Sequence, residues 1–262
     1  MSGGLHTATK ALVTGGSQGL GLAIALRLIS EGCQHLTIAA RDPEKGEAAR
    51  DQLSSQGANV RFITVDMANT DSVVSMVDQA ASNMGGVNAL VNGAALTDRG
   101  SILNTTPEEW DRFMAVNARG PFFAIQRVAQ MAIKAGNDAR IVNILTMSSH
   151  CGQSFLAGYS ASKAALANIT RNAANTLRSD RIRVNGINCG WMDTPGEDAI
   201  QRKWHGAKDG WLDKAEAAQP FGQLVKPDHV AGLASYLLSE QSGVMTGSLI
   251  DFDQNITGSF PE

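Results

Sequence analysis

Thr14-Gly15-Gly16-Ser17-Gln18-Gly19-Leu20-Gly21 decides the reading of this chain. An apolar run at residues 11–13 precedes it, and an apolar stretch at residues 20–28 follows it. A buried strand that feeds a glycine turn and then a helix is the layout of a dinucleotide site. Gly15 permits a tight turn, Gly19 lets backbone approach a pyrophosphate, and Gly21 lets the helix lie close to the sheet. The helix start then offers free N–H groups and partial positive charge to phosphates.

The same alternation runs outward along the chain. Strands are expected at residues 36–40, 60–65, 89–91, 140–145, 182–187 and 249–252. Helices are expected after residue 42, at 70–84, continuously over 106–131, over 159–177 and near 228–238. Asp42 as N-cap with Pro43 at the first helical position starts one of them. Most strands are continuous apolar runs, which implies a parallel sheet covered on both faces. Right-handed crossovers make that an α/β, doubly wound, Rossmann-like three-layer domain. A single domain over residues 1–262 is expected, with a helical lid at about 195–220.

Composition narrows the function. The chain has 262 residues, 43% hydrophobic and 18% charged, with a net charge of −3. That balance offers no nucleic-acid surface. No apolar run approaches the ~18 residues of a membrane span. Residues 1–9 lack a basic start and an apolar core, so no signal peptide is expected. Cys33, Cys151 and Cys189 have neither disulfide nor zinc spacing, and the five histidines lack ligand spacing, so no metal is expected. A reducing cytoplasm follows.

Tyr159-Ser160-Ala161-Ser162-Lys163 carries the chemistry. Tyr159 and Lys163 are four apart on a helix and share a face. A free tyrosine has a pKa of about 10, and a neighbouring ammonium lowers it by favouring the phenolate. Taken together with the glycine turn, this Tyr-x-x-x-Lys pattern resembles the short-chain dehydrogenase/reductase family over nearly the whole chain.

The resemblance implies an NAD(P)-dependent oxidoreductase acting on a secondary alcohol or ketone. It makes Tyr159 the general acid or base and sets Lys163 on the nicotinamide ribose. Asn117 matches the helix asparagine that supports a proton relay. The family's catalytic serine falls thirteen residues before the tyrosine, at Thr146, which keeps the hydroxyl; Ser148, two residues on, is the alternative hydroxyl. Gly15, Ser17, Gln18, Gly19, Leu20, Gly21, Arg41, Asp66, Met67, Asn92 and Thr194 fall at cofactor-binding positions, with Tyr159 and Lys163. The family's Asn-Asn-Ala-Gly reads Asn92-Gly93-Ala94-Ala95 here, and its Asn-Pro-Gly reads Asn188-Cys189-Gly190.

NADP(H) is the preferred cofactor on this reading, with NAD(H) possible. An NAD enzyme presents an acid to the ribose about 20 residues after the last glycine. That position is Ala40, followed by Arg41, whose guanidinium suits a phosphate. Gln18 is neutral and Asp42 acidic, which count the other way. His150, Trp191 and Trp204 are expected in the substrate pocket, with Arg99, His205 and Trp211 as further candidates. Aromatic faces with polar groups suit a polyol, sugar or small cyclic ketone. The family implies a homo-tetramer or homo-dimer. The competing reading is a cofactor-binding regulator or scaffold without turnover, against which the intact Tyr159, Lys163 and Asn117 weigh.

Overall fold

Seven parallel strands in the order β3-β2-β1-β4-β5-β6-β7 form the centre of the computed structural model, which describes residues 4–150 and 152–258. The first half runs β1 (Lys10–Thr14), α1 (Gly19–Ser30), β2 (His35–Ala40), α2 (Pro43–Ser54), β3 (Asn59–Thr64) and α3 (Thr70–Met84). The second half runs β4 (Ala89–Asn92), α4 (Pro107–Met114), α5 (Gly120–Ala135), β5 (Ala139–Thr146), α6 (Ala157–Leu177) and β6 (Ile182–Cys189). Then come α7 (Pro195–His205), α8 (Trp211–Ala217), α9 (Pro227–Leu238) and β7 (Leu249–Phe252). The residue-1 to residue-3 part of the leader reading and Cys151 lie outside the described residues.

The alternation of side chains along β1 sorts the core into two layers. Ala11 and Val13 point to one face, where they join Ile24 and Leu28 of α1 and Val230 and Leu237 of α9. Leu12 points to the other, with Val77 of α3, Val128 of α5 and Ile141 of β5. Every one of these side chains is under a tenth exposed, so both faces are dry and the strands read as continuous apolar runs.

β1 sits between β2 and β4, so the chain changes direction across the sheet there, and a crevice opens at the strands' carboxyl ends. Thr14 fixes that point. Its hydroxyl donates to the Val91 carbonyl (3.3 Å) and accepts from the Gly93 and Ala94 N–H groups (3.1 and 3.2 Å).

One expected helix is continuous but irregular. The helix read over residues 106–131 is α4 and α5 joined by a π-helical turn at Ala115–Arg119. Pro121 has no N–H to give the Asn117 carbonyl four residues back, and its ring disfavours a regular turn there. The Asn117 side chain ties this turn to the loop after β4: it accepts from Leu96 N–H (2.8 Å) and donates to the Leu96 carbonyl (2.9 Å). The lid region folds as α7 and α8. Among the described residues, no helix is long and apolar enough to cross a membrane.

Candidate active site

A cleft of about 1280 Å³ runs from the glycine turn, past the ends of β1, β4 and β5, to the lid. It exceeds the several hundred Å³ of an ordinary small-ligand pocket.

Its floor at one end is the glycine turn. Gly15 has φ +72°, and a Cβ there would meet the Ala94 backbone N at 2.8 Å. Gly19 has φ +55°, and a Cβ on Gly21 would run into the Gly15 carbonyl oxygen. Gln18 is the N-cap of α1 but makes no side-chain capping bond, and no acid stands in the first turn. The N–H groups at that end are therefore left for an anion, and the cradle fits a pyrophosphate. Ser17, Gln18, Gly19, Leu20 and Gly21 all line the cleft.

Beyond the turn, Ala40, Arg41, Asp66 and Met67 form the adjoining wall. The Asp42 carboxylate accepts from Lys45 N–H (3.1 Å), so it caps α2 as expected. Lys45 also lines the cleft, with Nζ 3.5 Å from Gln18 Oε1. It is a second cation beside Arg41 that the sequence reading missed; one turn of helix past the Asp42 cap was the available signal. The Asp66 carboxylate accepts from Ala68 N–H (2.9 Å).

Asn92 is a correction. Its side chain is 1% exposed and does not line the cleft. It donates to Asn143 Oδ1 (2.8 Å), and Asn143 donates to Thr170 Oγ1 (2.8 Å), a buried ladder that ties β4 and β5 to α6. This chain of bonds ties the strand ends together and turns the Asn92 Nδ2 into the sheet, while the buried Asn92 Oδ1 is left without a partner among the described residues.

Tyr159 and Lys163 face the end of β5. Lys163 is 2% exposed, and its ammonium donates to the Ile144 carbonyl (2.7 Å). Burial lowers its pKa to about 8. The Tyr159 hydroxyl is hydrogen-bonded to Thr146. Burial pushes the phenol up to about 12, against that bond and the Arg99 guanidinium, which favour the phenolate. The expected lowering of the phenol by Lys163 is thus not what the structure shows: the lysine's charge is directed at a backbone carbonyl, and desolvation dominates. Thr146 and Ser148 are both in the cleft wall with hydroxyls 2.8 Å apart, so the two candidates form one chain, Ser148–Thr146–Tyr159.

Asn117 is fully buried behind this wall. Its Nδ2 donates to Ser162 Oγ (3.0 Å), and Ser162 donates to the Tyr159 carbonyl (2.7 Å). It therefore braces the turn of α6 that carries the tyrosine. Cys189 also lines the cleft, with its thiol pushed up to about 12 by burial.

The lid closes the far end. Thr194 lies opposite Gly19 and lines the cleft, but its hydroxyl caps α7 by accepting from Glu197 N–H (3.1 Å). Of the expected substrate-pocket residues, Trp191 reaches the cleft and His150 and Trp204 do not. His150 Nε2 is engaged by Asp251 Oδ1 (3.0 Å) and Asn188 Nδ2 (2.9 Å) at the β6–β7 edge. Trp204 is 44% exposed, with Lys203 Nζ over its ring at 4.7 Å. Trp211 stacks on Trp191 from behind, ring centres 6.2 Å apart. The further candidates Arg99 and His205 line the cleft, joined by Glu197, Gln201 and Phe155, which the sequence reading did not name. The spacing of four from Glu197 through Gln201 to His205 along α7 was the missed signal, since it puts these three on one face and Trp204 off it.

Residues 15–257 match the family model described as Enoyl-(Acyl carrier protein) reductase. The chain is 32% identical to a galactitol 2-dehydrogenase of Agrobacterium fabrum over 249 residues, covering 93% of this chain and 95% of that protein. It is 30% identical to an NADP-dependent (R)-specific alcohol dehydrogenase of Lentilactobacillus kefiri, covering 94% and 96%. A crystal structure of actinorhodin polyketide ketoreductase with NADPH superposes with a TM-score of 0.87 at 27% identity, covering 94% and 96%. The chain belongs to the short-chain dehydrogenase/reductase family and is an NAD(P)-dependent oxidoreductase.

Proposed function

We propose that the chain interconverts a secondary alcohol and a ketone, with NADP(H) as preferred cofactor, a polyol or sugar as substrate, and Tyr159 as the proton-transfer group. One observation carries the assignment of roles: the Tyr159 hydroxyl, bonded to Thr146 beside the buried Lys163, opens on the same cleft as an uncapped, glycine-rich helix start. The bound nicotinamide supplies or takes up the hydride. With its pKa at about 12, the Tyr159 phenol keeps its proton at neutral pH and delivers it to the developing alkoxide. Thr146 Oγ1 donates to the same oxygen, and Ser148 orients Thr146. Lys163 holds the ribose side. Asn117 acts through position, by fixing the α6 turn under Tyr159.

The preference for NADP(H) rests on the cleft wall at the end of β2. Ala40 leaves room there, Arg41 and Lys45 supply positive charge, and Asp42, which also lines the cleft, gives one oxygen to the α2 cap. Ser17 adds a hydroxyl. NAD(H) is the weaker cofactor on this reading.

Homo-oligomerisation is part of the proposal, supported by Trp110, Phe122 and Ile133, each more than two-fifths exposed on α4 and α5. A cytoplasmic location is supported by the free, buried thiols of Cys33 and Cys189. The test of function is a panel of ketones, sugars and polyols with each cofactor, read by nicotinamide absorbance. Turnover with a ketone or alcohol is expected. Cofactor binding with no turnover across the panel would overturn the reading in favour of a silent binding protein.

A further inference from the structure

The lid end of the cleft contains an ion pair whose hydrogen-bonding capacity is only partly used. Arg99 comes from the loop after β4 and Glu197 from the first turn of α7. Their side chains are 11% and 18% exposed, and Nη2 lies 3.5 Å from Oε1. Both line the cleft, and both act on the Tyr159 phenol, Arg99 favouring its ionised form and Glu197 opposing it. The pair therefore stands within electrostatic reach of the reacting oxygen.

Each partner is held in place by other groups. Arg99 Nε donates to His205 Nε2 (3.2 Å) and Nη1 to the Thr97 carbonyl (2.9 Å). Glu197 Oε1 accepts from Trp191 Nε1 (2.9 Å) and Gln201 Nε2 (2.7 Å). A guanidinium has five N–H donors and a carboxylate two oxygens. Further Arg99 donors remain, and Glu197 Oε2 has no partner among the described residues. The bonds already made fix both groups without saturating them.

We propose that Arg99 and Glu197 form a specificity clamp that takes neighbouring hydroxyls of a neutral polyhydroxylated substrate, one hydroxyl accepting from Arg99 and the next donating to Glu197. The charge balance selects this class. A carboxylate seated on Arg99 would lie against Glu197, and an ammonium seated on Glu197 would lie against Arg99; like charges so placed are rejected. A hydroxyl is both donor and acceptor and satisfies either side. An alcohol with no second hydroxyl leaves both part-buried charges short of partners, which a site built to hydrogen-bond hydroxyls disfavours. The indole of Trp191, backed by Trp211, offers an apolar face to the C–H side of such a chain.

The proposal rests on the oxidoreductase reading above and is tested separately from it. Three six-carbon alcohols serve as probes: sorbitol, 2-hexanol and 3-hydroxyhexanoate, each with NADP+. Sorbitol is expected to exceed 2-hexanol in kcat/KM by at least about tenfold, the scale of one hydrogen bond to a charged group, with 3-hydroxyhexanoate no better than 2-hexanol. Glu197→Gln is expected to lower kcat/KM for sorbitol about tenfold or more and to raise that for 3-hydroxyhexanoate, because Arg99 loses its compensating charge. Arg99→Gln is expected to lower sorbitol without that gain. Calorimetric titration of the wild-type–NADPH complex, in which an alcohol has no oxidised cofactor to reduce, gives a readout free of turnover and of variant folding: sorbitol binds and 2-hexanol does not. Equal use of sorbitol and 2-hexanol, a uniform loss over all three alcohols in Glu197→Gln, or no sorbitol binding would each overturn the clamp. Absence of turnover with sorbitol binding intact would overturn the catalytic reading and leave the clamp standing.

Discussion

Thr146→Val separates the two hydroxyls that the sequence left as alternatives. Valine keeps the volume at the end of β5, where Thr146 is 9% exposed, and removes one oxygen. That oxygen makes two side-chain bonds, to Ser148 at 2.8 Å and to Tyr159, and accepts from Ser148 N–H at 3.3 Å. Two consequences follow. A donor to the developing oxyanion is lost, which costs about 10–10³-fold in kcat. The Tyr159 hydroxyl also loses the bond that favours its ionised form, so its pKa rises further from about 12. One transition state serves both directions, so ketone reduction and alcohol oxidation should both fall. Ser148→Ala removes only the outer member of the chain and should cost less than tenfold, the scale of one neutral hydrogen bond. The assay is kcat in both directions by nicotinamide absorbance, with cofactor affinity from fluorescence titration as the control for folding. Near-normal kcat in Thr146→Val together with a large loss in Ser148→Ala would show that the outer hydroxyl is the donor.

Tyr159→Phe keeps the ring and removes the transferable proton; turnover should fall at least about 10²-fold while the cofactor still binds, and near-normal kcat would remove the mechanism. Arg41→Ala should weaken NADPH use by about 10–150-fold and leave NADH nearly unchanged, and Lys45→Ala should act in the same direction; a wild-type preference for NADH would show that the wall at Ala40 does not select the phosphate. Stability should depend on His6, which is fully buried, bonded to Ser235 Oγ (2.8 Å) and Thr9 Oγ1 (3.0 Å), and lowered from 6.5 by burial against the opposing pull of Glu31. The folded chain keeps this imidazole neutral and the unfolded chain protonates it below about 6.5, so the unfolded state binds more protons and stability falls as pH drops through that region, by at most about 1.4 kcal/mol per pH unit. Urea midpoints from pH 7 to 5 check this, and an unchanged slope in His6→Gln would refute it.

The fold was legible because its signals are local and repeated. β1, the glycine turn and α1 can be read from one uninterrupted stretch, residues 10–30, and α3 begins at Thr70 and ends at Met84 as expected. The turn chemistry at Asp42-Pro43 was legible for the same reason. The π turn in the helix after residue 114 was not, although Gly120-Pro121 stands in the sequence. A proline near the start of a helix and one that interrupts a helix look alike until the partner of the preceding asparagine is known. Here that partner is the backbone of Leu96, twenty-one residues away, and no periodicity reports it.

The site divides along the same line. Tyr159, Lys163 and the cofactor turn lie within short motifs, and they meet in one cleft. The substrate end is assembled from the loop after β4, the segment after β6 and a lid helix, so composition alone nominated His150 and Trp204, while Glu197 and Gln201 went unnamed. Charge explains the omission. Glu197 is an ordinary charged residue in the sequence and becomes informative only through its part-buried pairing with Arg99, where bonds to Thr97, His205, Trp191 and Gln201 hold both without satisfying them. Fixing two opposite charges beside a reacting phenol costs desolvation, and that cost is offset only when both are fully hydrogen-bonded. The bonds missing within the protein are those a substrate with neighbouring hydroxyls would supply. In that way the least legible part of the sequence becomes the part of the structure that most narrowly defines the ligand.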